Sequence, residues 1–373
     1  MSGVDAPTAL VLGHVLAQPA GGVRRHAEQV WPRVADLWRA RGGRLAFLDG
    51  PEPLPLALPK DVVRLSAPSL RSSRWRRGRR EERALPEAIQ ALGSIELLHT
   101  AHLPVVRPPG DVRLCWMIHD LRRADEHLSG YFGAALGRRW IEQGLTRAHH
   151  VLCVSRKVSR DLQHGWQVPR ERLTVARHGG DHLEVLPRKA GKDAPILFVG
   201  HLEPRKNIAV LLEALAIEPD LPRLILAGRP KAGHRTELER RARKLGVQQR
   251  VEFREAPSDG QLSQLLSTAG CLVLPSHLEG FGLPVIEAQR AGVPTAVARA
   301  GALAEVGGPL AASFDARDPQ ACVRALRVSL SRPPGELERA AKRARAFRWD
   351  LAAKRLVEAW EAALEGPAKP IRA

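Results

Sequence analysis

The sequence is poor in the residues that define several common kinds of protein. Cysteine occurs four times, at Cys115, Cys153, Cys271 and Cys322, and no two of these are spaced as a CxxC motif or a zinc-ligand pair. Three of them lie in apolar stretches that resemble strands. We therefore predict buried free thiols rather than a disulfide framework or a zinc site.

Long hydrophobic runs are also missing. Charges or prolines interrupt each apolar stretch before it reaches the roughly 20 residues that a membrane-spanning helix needs. The first residues carry no basic segment and lead directly into a predicted strand, so no signal peptide is expected. Both absences predict a cytoplasmic protein.

Acidic residues are outnumbered, with 40 Asp and Glu against 58 Lys and Arg and a formal charge of +18. An acidic partner would explain this excess, and so would an arginine-rich composition. The charge is spread over both halves of the chain, which favours composition for most of it. Because the chain also contains no recognised nucleic-acid-binding module, a nucleic-acid partner is not expected.

One run of basic residues is concentrated, RSSRWRRGRREER at 71–83, with seven arginines and two glutamates. We interpret it as a loop. Such a loop could lie on an anionic membrane, which would place the protein at the inner face of that membrane. A solvated or disordered loop explains the run equally well.

Short apolar runs alternate with longer amphipathic ones along the chain. Strands are predicted at 9–16, 44–49, 62–65, 95–100, 113–120, 150–155, 173–178, 196–200, 223–228, 250–255 and 271–276. Helices are predicted at 23–42, 131–148, 156–165, 207–217, 235–246, 258–269 and 349–366. This alternation predicts an α/β fold with parallel sheets covered on both faces. The polar segment 181–195 separates two such runs, which predicts two doubly wound, Rossmann-like domains.

The stretch EGFGLPVIE, 279–287, joins a predicted strand to a predicted helix. Gly280 and Gly282 let the backbone approach a ligand, and the helix start offers free N–H groups to a phosphate. Glu287 could accept two hydrogen bonds from the hydroxyls of a ribose. A nucleotide site is one interpretation of this stretch. An ordinary strand-to-helix loop is the other.

The stretch HLEPRKN, 201–207, follows another predicted strand. Arg205 and Lys206 stand at a helix start, where their charge opposes the helix dipole. This placement favours an anion such as a diphosphate beside them, although two solvated cations are the simpler alternative.

Three residues of the first half are further candidates. Gly21 and Gly22 connect the first strand to the first helix and could line a phosphate or an acceptor, or form a plain turn. His119 ends a strand, and its role could be catalytic or structural.

Taken together, these stretches resemble the retaining glycosyltransferases of family 4, which have the two-Rossmann-domain GT-B fold. FVGHLEPRKNIAVLLEAL and LPSHLEGFGLPVIEAQRAGVPTAVARAGALAEVGG carry the resemblance most specifically. IHDL, RAHHVLCVSRKVSRDL and VPRERLTVARHGGDH extend it over most of the remaining chain. A pair of glutamates with seven residues between them is typical of the family, and here the pair is Glu279 and Glu287.

The resemblance implies a domain organisation. An acceptor-binding domain would cover residues 1–182 and a nucleotide-sugar-binding domain 193–348. A terminal helix at 349–373 would cross back to the first domain. The donor site would lie in the cleft between the domains.

The resemblance also implies roles for individual residues. Gly22, beside Gly21, would approach the phosphate or acceptor, and His119 would contact the donor sugar near the reacting carbon. Arg205 and Lys206, after Gly200, would bind the diphosphate as it leaves. Glu279 would face the sugar, with the backbone of Gly280, Phe281 and Gly282 on its hydroxyls, Leu283 near the phosphate and Glu287 on the ribose.

The resemblance implies no metal and no cofactor beyond the nucleotide diphosphate sugar that serves as donor. His201 stands where many members have an arginine, and a subset with mannose-like donors shares the EPRKN form. We therefore expect a GDP-mannose-type donor and a glycan or lipid-linked acceptor. A UDP-sugar-dependent transferase and a nucleotide-sugar epimerase of the same fold are the alternatives.

Overall fold

A computed structural model describes residues 6–13, 21–50, 55–67, 74–191, 193–231 and 233–372. The chain forms two compact units. One comprises Met1–Arg177 together with Trp349–Ala373, and the other comprises His178–Arg348.

The first unit is built on a seven-stranded parallel sheet. Its strands are β1 (Thr8–Leu12), β2 (Arg44–Asp49), β3 (Val63–Ser66), β4 (Leu97–Thr100), β5 (Arg113–Ile118), β6 (His150–Cys153) and β7 (Leu173–Val175). Its helices are α1 (Gly22–Arg39), α2 (Arg74–Leu92), α3 (Glu126–Leu145), α4 (Arg156–Trp166) and, at the end of the chain, α12 (Trp349–Glu365). The strand order is β3-β2-β1-β4-β5-β6-β7, so the order reverses between β1 and β4.

The second unit contains a six-stranded parallel sheet. Its strands are β8 (Ile196–Val199), β9 (Leu224–Ala227), β10 (Val251–Arg254), β11 (Cys271–Leu274), β12 (Thr295–Ala298) and β13 (Ala312–Phe314). Its helices are α5 (Ala209–Ile217), α6 (His234–Lys244), α7 (Asp259–Thr268), α8 (Leu283–Arg290), α9 (Leu303–Gly307), α10 (Pro319–Leu330) and α11 (Pro334–Ala344). The strand order is β10-β9-β8-β11-β12-β13, with its reversal between β8 and β11.

The predicted fold class is confirmed, because both sheets are parallel and doubly wound. Central strands such as β1, β9 and β11 are buried at each residue, as expected for sheets covered on both faces. The prediction for the thiols is also confirmed, since all four cysteines are free and buried.

The basic run at 71–83 was predicted as a loop, and that prediction is wrong for its described part. Residues 71–73 lie outside the described residues, and α2 begins at Arg74. The helix buries Glu81, whose carboxylate lies 2.8 Å from the imidazole of His102. The helical periodicity of this run is hard to see in the sequence because one inward-facing position, Glu81, is a charged residue with a buried partner, His102. Contact of this helix with an anionic membrane stays a prediction.

Within the described ranges, no helix is both long enough and apolar enough to cross a bilayer.

Helix α12 packs on the first unit through aromatic side chains. The indole of Trp360 is fully buried, stacks on Trp31 at 6.1 Å and meets Trp38 edge-on at 5.3 Å. Its N–H donates to Nδ1 of His99 at 3.1 Å. Burial, and then the neighbouring His119, lowers the pKa of His99 to about 3, so this imidazole is neutral and can accept. The last helix is therefore part of the first unit's core.

Not every large apolar residue of α12 faces this core. Leu351 is 49% exposed, whereas Leu356 and Trp360 are buried.

Replacing Trp360 with alanine is expected to lower the free energy of unfolding by about 3–5 kcal/mol, because it opens a cavity and leaves His99 without its donor. Leu351→Ala on the same helix is the matched control and should change stability by less than about 0.5 kcal/mol. Urea unfolding of the two variants measures the difference. Equal effects would contradict the burial pattern of α12.

Candidate active site

The candidate site lies in the second unit, where the strand order reverses. Strands β8 and β11 are neighbours, with Cys271 paired to Ile196, and their loops emerge at the same edge of the sheet. Ligands of doubly wound sheets bind at this position, outside the carboxyl ends of the strands. Topology therefore brings residues 200–208 and 275–282 together.

The loop after β8 is held in one conformation by Asn207. A short 3-10 turn over Pro204–Lys206 ends at Asn207, which has a left-handed backbone with φ 52°. The Asn207 amide donates to the carbonyl oxygens of Pro275 at 3.1 Å and Ala316 at 2.7 Å. The bond to Pro275 attaches this loop to the loop after β11, and the bond to Ala316 attaches it to the segment after β13.

Glu279 is the centre of the site. Its side chain is 11% exposed, and one oxygen accepts from the hydroxyl of Ser276 at 2.7 Å. The same oxygen is bonded to the ammonium of Lys206, and the other oxygen lies 3.2 Å from the guanidinium of Arg205. The structure thus brings together three of the predicted site residues: Arg205, Lys206 and Glu279.

The two cations keep Glu279 ionised. Burial alone would raise the pKa of this carboxyl, but Lys206 and Arg205, together with the hydrogen bonds from Lys206 and Ser276, lower the pKa to about 2. The group is therefore an anion at any physiological pH.

A second carboxylate, Glu203, holds Arg205 from the other side. It lies 2.8 Å from the Arg205 guanidinium and is also bonded to the ammonium of Lys231. Burial raises the pKa of Glu203, but Lys231 and Arg205 outweigh that effect and lower it. Sequence reasoning missed Glu203, Lys231 and Ser276. Only Glu203 carried a signal, since it lies within the EPRKN stretch.

The backbone around α8 depends on glycine at two positions. Gly282 caps the helix with φ 98°. Leu283 supplies the first N–H of the helix, since Pro284 has none and the N–H of Val285 donates to the Gly282 carbonyl at 3.0 Å. Gly301 has φ 54°, and a Cβ there would lie 2.1 Å from the carbonyl oxygen of Glu279. That oxygen accepts from the N–H of Ala302 at 2.8 Å, so the loop after β12 fixes Glu279.

Three further predicted site residues of this unit are Gly200, Gly280 and Phe281. Gly200 follows β8 with φ 150°, and a Cβ there would lie 3.8 Å from the Lys206 nitrogen. Gly280 and Phe281 are buried, and the Phe281 ring packs against His178 at 4.8 Å. Phe281 therefore anchors the loop with its side chain and can offer a ligand only its backbone.

Glu287 has surroundings unlike those of Glu279. It lies in the second turn of α8, is 6% exposed, and one of its oxygens lies 3.0 Å from Nε2 of His182. The contact to His182 was not predicted.

The other three predicted residues belong to the first unit. Gly21 caps α1 with φ 116°, and a Cβ on Gly22 would have no atom of the described residues within 4 Å. His119 follows β5, and its ring packs edge-on against His26 at 5.2 Å. Burial, partly offset by Asp120, lowers the pKa of His119 to about 4, so the imidazole is neutral at pH 7.

Both units match known family models. Residues 20–182 match the model described as Glycosyltransferase Family 4, and residues 186–347 match that of the Glycosyl transferases group 1. The two matches together account for most of the chain. The protein belongs to the family 4 glycosyltransferases, and the resemblance seen in the sequence is confirmed.

Curated relatives have diverged considerably in sequence. The D-inositol 3-phosphate glycosyltransferase of Streptomyces coelicolor is 33% identical over 191 residues, which is 47% of this chain and 42% of the relative. The MMP α-(1→4)-mannosyltransferase of Mycolicibacterium hassiacum is 28% identical over 260 residues, which is 65% of this chain and 59% of the relative. The chain thus spans roughly half the length of these relatives.

Among solved structures, a sucrose-phosphate synthase from Thermosynechococcus elongatus has the same fold. It superposes with a TM-score of 0.77 at 18% identity over 95% of this chain and 98% of that chain. This likeness confirms the GT-B architecture.

Replacing Glu279 with glutamine tests the charge balance of the site. Its folded-state pKa of about 2 lies below the reference value of 4.5, so its contribution is present above about pH 4.5 and is lost as the pH falls towards 2. At pH 7, Glu279→Gln should lower the free energy of unfolding by up to about 3 kcal/mol.

Urea unfolding at pH 7, 5, 4 and 3 should show the gap between wild type and variant closing below about pH 4.5. Glu255→Gln, at a carboxylate that is 55% exposed, is the control and should show almost no gap. A gap that did not change with pH would contradict the ionised state of Glu279.

Proposed function

We propose that the protein is a retaining glycosyltransferase. It moves a hexose from a nucleotide diphosphate sugar to a hydroxyl group of a glycan or lipid-linked acceptor. No metal and no further cofactor takes part. The observation that carries this proposal is the buried Glu279, which is paired with Arg205 and Lys206 beside the start of α8.

The chemistry of this cluster suits a diphosphate. A guanidinium and an ammonium on one rigid loop can bind the phosphate oxygens, and the N–H of Leu283 at the start of α8 adds a donor for the same anion. Because Glu279 and Glu203 already hold the cations, little reorganisation is needed when the charge of the leaving group develops. The leaving diphosphate is stabilised without a metal.

The donor is proposed to be GDP-mannose or a similar GDP-sugar. Support comes from the EPRKN form of the loop and from the mannosyltransferase among the relatives. Glu287 is proposed to hold the ribose through the oxygen that His182 does not contact. His119, neutral and in the first unit, is proposed to contact the donor sugar.

A panel of nucleotides tests the donor class. GDP should raise the melting temperature of the protein more than UDP, ADP or the monophosphates, because bound ligand stabilises the folded state. A larger shift with UDP would instead support the UDP-sugar alternative. Absence of any shift with all nucleoside diphosphates would overturn the proposal.

Turnover assays with the donor distinguish transfer from epimerisation. Consumption of the nucleotide sugar that requires an acceptor supports the transferase. Conversion to a new sugar nucleotide without an acceptor would support the epimerase.

Two single substitutions should separate binding from chemistry. Glu287→Ala should raise the donor KM about tenfold with little change in kcat, since a ribose contact is made equally in the ground and transition states. Lys206→Ala should lower kcat by about 10²–10³-fold, because its charge is needed most when the diphosphate leaves. Steady-state kinetics at varied donor concentration measure both constants.

Arg240→Ala is the control, since Arg240 is an exposed cation on α6. It should leave both constants unchanged. A near-normal kcat in Lys206→Ala would exclude the leaving-group role, and a fall in kcat without a change in KM for Glu287→Ala would exclude the ribose role.

A further inference from the structure

Lys231 is fixed beside the loop that carries Arg205 and Lys206, although it lies in the segment after β9. Pairing between β8 and β9 continues beyond the strands through a bridge between Leu202 and Pro230. The N–H of Leu202 donates to the Arg229 carbonyl at 3.0 Å, and the N–H of Lys231 donates to the Leu202 carbonyl at 3.0 Å. Lys231 is therefore positioned by backbone pairing and not only by its side chain.

The charged side chains form one continuous alternating series. In order, it consists of Lys206, Glu279, Arg205, Glu203 and Lys231, each in contact with the next. Because the pKa values of both glutamates are lowered, the series contains two anions and three cations at neutral pH. It therefore has one positive charge in excess.

Lys231 is the accessible end of this series. Its side chain is 53% exposed, against 15% for Arg205 and 13% for Lys206. An ammonium has three donors, and Glu203 needs only one of them. The others can reach a ligand.

His201 lies within electrostatic reach of all three cations. It follows Gly200 at the carboxyl end of β8, and its pKa is lowered first by burial and next by Lys231. Lys206 and Arg205 lower it further, against the opposite effect of Glu203. All three cations thus act on the edge of the sheet where a ligand of this fold binds.

We propose that Lys231 is a third phosphate-binding cation of this site, which contacts the terminal phosphate of the nucleoside diphosphate. This inference rests on the proposed function. The two positive charges of Arg205 and Lys206 are already balanced by the carboxylates of Glu203 and Glu279, so the one positive charge in excess is that of Lys231. A diphosphate brings more negative charge than a monophosphate, and Lys231 is the cation that distinguishes the two.

Titration calorimetry with GDP, UDP, GMP and UMP tests this role. Lys231→Ala should raise the Kd of the preferred nucleoside diphosphate about tenfold, the loss expected for one charged hydrogen bond. The Kd of the matching monophosphate should change less than about twofold. Lys231→Arg should retain most of the diphosphate affinity, and Arg229→Ala, an exposed cation two residues away, should retain all of it.

The Glu203→Gln variant serves as a second background for the Lys231→Ala substitution. It separates direct contact between Lys231 and the phosphate from an indirect effect through Glu203. In Glu203→Gln, Lys231→Ala should still weaken diphosphate binding several-fold. If its effect disappeared in that background, Lys231 would act only by orienting Glu203, and the inference would be overturned. Unchanged diphosphate affinity of the single variant would overturn it too, whereas a wild-type protein that bound none of the four nucleotides would overturn the proposed function itself.

Discussion

The organisation of the candidate site depends on one buried anion, the carboxylate of Glu279. A carboxylate with this little exposure is costly unless positive charge and hydrogen bonds compensate it. Lys206, Arg205 and Ser276 supply both. Because the partners come from loops after two different strands, the ion pairs can form only if β8 and β11 are adjacent. The ion pairs of the site thus depend on the strand order of the sheet.

The backbone makes this arrangement rigid before any ligand arrives. Asn207 connects the two loops, and the close approach of Gly301 to the Glu279 carbonyl leaves no space for a side chain. Compared with apolar residues of similar volume, ion pairs of this kind add little net stability, since their desolvation cost is large, although removing one partner alone is costly. Their value is that Arg205 and Lys206 are already oriented, which is what preorganised binding of an anion requires.

Much of the fold could be predicted from the sequence, since buried parallel strands produce short apolar runs such as 44–49 and 271–276. Strands β12 and β13 were not predicted, because they are only four and three residues long and each contains just one apolar residue larger than alanine. Helix α2 was missed because arginines dominate its start, while the burial of Glu81 depends on His102, 21 residues away.

The site was predictable to the extent that it lies within contiguous motifs. Arg205, Lys206 and Glu279 lie in the loops that follow two predicted strands, so their proximity follows from a doubly wound sheet. Lys231 becomes a partner of Glu203 through backbone pairing, and Ser276 becomes a partner of Glu279 through the geometry of its loop. A linear sequence specifies neither. His182 contacts Glu287 although more than 100 residues separate them in the chain, and the sequence around neither residue indicates this contact.

The surroundings of Glu279 also limit the chemical role that this carboxylate can have. An acid catalyst needs a pKa near the working pH, and Glu279, with a pKa of about 2, has no proton to donate there. The same low pKa makes it a weak base. Its two oxygens are moreover engaged by Lys206, Arg205 and Ser276, so it is poorly placed as a nucleophile. Within the proposed function, the proton of the acceptor hydroxyl must then go to another group. Within the proposed function, the leaving phosphate held by Arg205 and Lys206 is that group, because its oxygens gain negative charge as the bond to the sugar breaks.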